Sequence, residues 1–85
     1  MIPRIKSVEP LDDYILHVVF DDGKEVLYDV KEDIDAIESY KNLQEIHGFF
    51  RQVQLDKSRT CVFWNDEIDL PSDAIYEHGK VLEYV

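Results

Sequence analysis

The segment from Tyr14 to Val30, YILHVVFDDGKEVLYDV, constrains the fold more than any other part of the chain, because its hydrophobic period and its turn together select one pairing register. Ile15 to Phe20 is a β-branched and aromatic run, Asp21-Asp22-Gly23-Lys24 is turn-forming, and Val26 to Val30 resumes the strand pattern. Such runs around an Asp-Gly turn predict a β-hairpin. If Asp22 and Gly23 formed a two-residue loop, Phe20 would pair with Glu25 and Val18 with Leu27. The face bearing Leu16, Val18 and Phe20 would then carry Glu25 and Asp29 as well. If Asp21 and Asp22 form a type I turn and Gly23 takes the left-handed bulge position, Val18 pairs with Val26 and Leu16 with Tyr28. That face becomes Leu16, Val18, Phe20, Val26 and Tyr28. A one-residue slip moves every side chain to the opposite face, so burial favours the bulged register. The other face, Ile15, His17, Val19, Glu25 and Leu27, is mixed and expected to be half covered.

A chain of 85 residues suits one domain spanning 1–85, with a hydrophobic core but without the depth for a walled active site. A hydrophobic content of 45% argues for a folded chain although a third of the residues are charged. Nineteen acidic against nine basic residues give a formal charge of -10. Nucleic-acid binding is driven by Lys and Arg displacing counterions, so no direct nucleic-acid contact is expected. Anionic membrane surfaces are disfavoured on the same ground, and no segment approaches the ~20 apolar residues of a membrane span. The lone Cys61 cannot form an internal disulfide, which fits a reducing compartment. A soluble, cytoplasmic protein is the resulting expectation.

Around the hairpin, Ile2 to Val8 alternates loosely enough for a short strand, with Glu9-Pro10-Leu11-Asp12-Asp13 as a turn. From Lys31 to Tyr40 the acidic density peaks and Ile34 and Ile37 suggest one or two helical turns. Asn42 is placed to cap a second short helix through Leu43, Ile46 and His47, stopped by Gly48. Arg51 to Asp56 and Thr60 to Trp64 flank Lys57-Ser58-Arg59 and predict a second hairpin, followed by a third short strand over Glu67 to Leu70. Pro71-Ser72-Asp73 reads as a helix start with Ser72 as the cap, and Gly79 as its stop. The tail from Lys80 alternates weakly. The fold class is therefore α+β: a small single domain with two antiparallel hairpins, a third short strand, and two or three short helices.

The segments PRI-KSVEPLDDY-L-V-FDDG with YDV after it, the strand ending in Trp64, and IDLPSDAIYEHG resemble a family of small bacterial proteins catalogued as domain of unknown function 2442. The resemblance covers nearly the whole chain and rests most on Pro3, Val8, Pro10, Leu11, Leu16, Phe20 and Gly23, and on Trp64, Asp69, Ile75 and Tyr76. It implies an α+β fold of this length with a mixed or antiparallel sheet, and lends no catalytic residues. It also implies pairing with a small neighbouring gene product in toxin-antitoxin-like arrangements. Members carrying an added helix-turn-helix domain imply operator contact, which is not expected of a chain ending at Val85.

Candidate catalytic groups lack a supporting motif. His17, His47 and His78 have no metal-ligand spacing, and neither HExxH nor paired CxxC occurs. Cys61, inside an apolar run, reads as core filling. Asp12, Asp13, Asp21 and Asp22 could hold Ca²⁺ or exchange protons, yet Asp is also what turns select for backbone hydrogen bonding. Trp64 is expected half buried, with its indole nitrogen at the surface. No catalytic, cofactor or metal residue is assigned, and no cofactor is expected. The acidic run Asp29, Glu32, Asp33, Asp35 and Glu38 is the candidate for meeting a cationic partner, set against a merely solvated helix face. The expected function is a non-enzymatic protein-interaction domain, the acidic, antitoxin-like member of a two-gene pair binding a basic protein. The alternatives are a small enzyme using Cys61 or a histidine, and a homo-oligomer joined through a strand edge and the Tyr84-Val85 tail.

Overall fold

A computed structural model describes residues 2–84, and for Glu83 and Tyr84 the backbone alone. The expectation that Tyr84 and Val85 mediate self-association falls on the Tyr84 side chain and on Val85, which lie outside that description. The described chain is α+β, with two antiparallel sheets and three short α-helices. The first sheet has strand order β1 (Ile5–Leu11), β2 (Ile15–Phe20), β3 (Lys24–Asp29) and β7 (Lys80–Tyr84). The second has the order β4 (Gln54–Leu55), β5 (Cys61–Asn65) and β6 (Ile68–Pro71). Helices α1 (Lys31–Ala36), α2 (Asn42–Glu45) and α3 (Ser72–His78) lie in the connections.

The β2–β3 register is the bulged one. Leu16 pairs with Tyr28 and Val18 with Val26, Gly23 has φ +94°, and its N–H donates to the Phe20 carbonyl at 3.0 Å. Leu16, Val18, Phe20 and Val26 are consequently buried, together with Ile5, Ile34, Val62, Ile68, Leu70 and Ile75. The register also turns Lys24 inward, where 8% of its surface stays exposed. Its stem lies in the core while Nζ donates to the Tyr76 carbonyl at 2.8 Å and sits 3.8 Å from that residue's ring centre. Both contacts compensate the ammonium for lost water.

Several local expectations are corrected. The first strand does not stop at Val8 but runs on through Pro10 to Leu11; an edge strand tolerates a residue without an N–H donor. The turn is confined to Asp12–Tyr14, and both Asp13 and Tyr14 have positive φ. Helix α1 ends at Ala36, leaving Ile37 extended and 41% exposed, and α2 stops at Glu45, short of Ile46 and His47. Asn42 is not a cap: it lies within the helical turn, whose preceding residue is Lys41. Ser72 is likewise the first helical residue, not the cap, and its Oγ is fully buried without a hydrogen bond among the described residues. Trp64 is 5% exposed, and its indole N–H points inward to the Phe50 carbonyl at 2.8 Å. Phe50 links it to Tyr14, with ring centres 5.8 Å and 5.3 Å apart respectively.

Gly79 does end α3, though not by a left-handed cap: its φ is -69°. What the site requires is the absence of a side chain, since an added Cβ would lie 2.7 Å from the Ile75 carbonyl oxygen and 2.9 Å from Val26 Cβ and Cγ2. Neither neighbour is a flexible tip. Gly79→Ala should therefore cost about 1–3 kcal/mol, the usual range for overpacking, read as a lower urea midpoint with an unchanged m-value. A variant as stable as the parent would contradict this close approach of α3 to β3.

Candidate functional site

The acidic run occupies the exit of β3 and helix α1. Asp29 ends β3; its Oδ1 accepts the Lys31 N–H at 2.9 Å and lies 3.2 Å from Lys31 Nζ. Lys31 Nζ also reaches back to the Asp13 carboxylate at 3.0 Å and donates to its carbonyl at 2.8 Å. The hydrogen bond that Lys31 Nζ donates to the Asp13 carboxylate raises the Lys31 pKa above its ordinary value. Glu32 and Asp33 fall in the first turn of α1, where the helix dipole favours negative charge.

Of the five carboxylates expected to form one surface, Asp29, Glu32 and Asp33 line a shared shallow depression with Leu27, Tyr28, His78 and Lys80. Asp35 and Glu38 are exposed but do not line it. Asp33 is only partly exposed because it accepts the Tyr28 hydroxyl at 2.6 Å. The contribution of His78 and Lys80 was not legible in the sequence, since it depends on β7 pairing with β3, where Leu27 meets Lys80.

The other candidates do not assemble into a catalytic centre among the described residues. His17 lies on the outer face of β2, its Nε2 2.9 Å from Glu25 Oε1, a contact between adjacent strands. His47 is exposed in the loop after α2, and His78 ends α3. Cys61 is not core filling. It lies on the partly exposed face of β5, and burial first, then the charges of Asp56 and Asp69, push its thiol pKa up. No group of three or more metal-ligating side chains occurs among the described residues. Asp12 pairs with Arg51 at 2.6 Å and Asp21 with Arg59 at 2.8 Å. The Asp22 side chain accepts the Lys24 N–H at 3.0 Å and the Tyr76 hydroxyl at 2.6 Å. The turn carboxylates are thus engaged in holding turns and neighbouring elements together.

What the fold and this surface define is a small α+β domain bearing an anionic face. The model of the family described as Protein of unknown function (DUF2442) matches residues 5–81, nearly the entire chain, and the chain belongs to that family. No curated protein and no solved structure matches it. No helix of the described residues is long and apolar enough to cross a membrane.

The aromatic hydroxyls of this region give it a pH signature. Burial first, then the hydrogen bond to Asp33, raises the Tyr28 pKa above its ordinary 10.0. Burial and the charges of Asp33 and Asp69 push Tyr40 up to about 12. Tyr40 donates its hydroxyl proton to the Asp69 carbonyl. Above pH 10, unfolded chains release phenolic protons that the folded chain retains, so the unfolded state binds fewer protons and stability falls as pH rises. Urea midpoints measured from pH 8 to 11 should show this fall, and Tyr28→Phe should flatten it while costing about 1 kcal/mol at neutral pH. An identical slope in the variant would show that the Tyr28–Asp33 bond does not govern it.

Proposed function

We propose that this chain is a non-enzymatic protein-binding domain, the acidic and antitoxin-like member of a two-protein pair, and that it acts in the cytoplasm. Its partner is a basic protein met by the surface of Asp29, Glu32, Asp33, Asp35 and Glu38. The observation that carries this reading is the placement of three of these carboxylates around one depression with two more exposed beside it, in a chain of net charge -10. Glu32, Asp35 and Glu38 are exposed and form no ion pair among the described residues. Such a field speeds encounter with a cationic partner and makes binding salt-dependent. A thiol-based catalyst is disfavoured, because the raised Cys61 pKa reduces the thiolate available at neutral pH.

The test is capture from the native host with the purified chain, followed by titration of the isolated partner against parent and Glu32→Gln/Asp35→Asn/Glu38→Gln. These three side chains make no hydrogen bond among the described residues, so folding should be unaffected. The triple variant should bind roughly tenfold or more weakly at low salt. A partner of acidic character, or an affinity indifferent to both salt and substitution, would overturn the reading.

A second reading is self-association. Strand β7 is an outer strand of its sheet, and Val81 and Leu82 on it are 46% and 49% exposed. An open edge with apolar side chains is a template for pairing with another chain. Light scattering at millimolar concentration should then give a dimer mass, and a monomer mass would remove this reading.

A further inference from the structure

At the other end of the β2–β3 hairpin from Asp29, a groove opens between the hairpin turn, helix α3 and the segment preceding β1. Its accessible apolar surface is supplied by Ile2, Pro3 and Tyr76, with the buried Phe20 beneath them. The Tyr76 ring is held edge to face against the buried Phe20 ring, with centres 4.9 Å apart, so this wall is fixed in place. Ile2, at its margin, is 60% exposed.

The walls are anionic. Asp73 and Glu77 stand four residues apart on α3, which puts two like charges on one side of the helix at a cost to its stability. Neither forms an ion pair among the described residues. Asp22 lines the same groove, its carboxylate fixed by the Tyr76 hydroxyl at 2.6 Å. Asp21, also present, is already paired with Arg59. Arg4 is the cationic side chain among the described lining residues, facing four carboxylates.

An apolar surface bounded by carboxylates, of which Asp73 and Glu77 form no ion pair among the described residues, matches one kind of side chain: a cation on a methylene stem. Arginine suits it better than lysine, because its planar fork can engage two carboxylates at once. We propose that this groove docks an arginine side chain of a basic protein partner, its stem along Ile2 and Pro3 and its guanidinium between Asp73, Glu77 and Asp22. The inference takes from the preceding section only that the partner is basic; it assigns a second, separate surface.

The experiment uses the full chain labelled with ¹⁵N and titrated with a blocked tetrapeptide alternating leucine and arginine, at low salt. Amide shifts should centre on Phe20 to Asp22 and Asp73 to Glu77. The same peptide with citrulline, the neutral isostere of arginine, should produce no such shifts. Asp73→Asn/Glu77→Gln should weaken binding about tenfold, while Asp66→Asn/Glu67→Gln, at two exposed carboxylates outside both anionic surfaces, should leave it unchanged. Shifts centred on Asp29 to Glu38 would overturn the groove assignment while leaving the acidic α1 surface in contention. Equal binding of the citrulline peptide, or no binding at all, would overturn it as well.

Discussion

The pairing of β2 with β3 through the Gly23 bulge is the constraint on which the rest of the molecule depends. By placing one extra residue in the turn, it sends Leu16, Val18, Phe20 and Val26 to a single face and leaves His17, Val19, Glu25 and Leu27 on the other. The inner face receives Ile75 and the contact of Gly79 with Val26. The far end of β3 delivers Asp29 to the acidic depression, helix α1 directly after it delivers Asp33, and the turn delivers Asp22 to the opposite groove. Both anionic surfaces are therefore set by one hairpin register. A slip of one residue would dissolve the interior and scatter the carboxylates together.

Strong local signals were readable from the chain alone, as the hairpin shows: alternation, an Asp-Asp-Gly turn and the cost of burying Glu25 and Asp29 agreed on one answer. The β4–β5 hairpin and β6 were legible for the same reason. Helix ends were not. Ser72 and Asn42 have the chemistry of caps, yet chain entry from Pro71 and Lys41 places each inside its helix. Trp64 shows a different limit. Its indole donor has a buried acceptor only because the segment at Phe50 folds over it, a contact between residues fourteen apart that no periodicity encodes.

The candidate surface was half legible. Composition identified the acidic run, while the placement of Glu32 and Asp33 in the first turn of α1 came from the structure. Which carboxylates converge depended on tertiary pairing: β7 brings Lys80 beside Leu27, and Tyr28 withdraws Asp33 from solvent. Asp35 and Glu38 remain outside the depression because α1 is only six residues long and its chain turns away at Ile37. The groove beside Tyr76 was invisible to linear reading, since its residues come from four separated segments.

Arg59 holds a position whose effect reaches past its own turn. Its carbonyl accepts the Ile5 N–H at 2.7 Å, and its guanidinium engages Asp21 at 2.8 Å, so one residue at the head of the second sheet fastens both the first strand and the first turn of the other. The two sheets share that fastening and a single core. Partial melting of either one would strip bonds from both, which favours all-or-none loss of structure over a half-open intermediate. For a small acidic chain, that cooperativity limits how long unpaired strand edges stand exposed to proteases or to other copies.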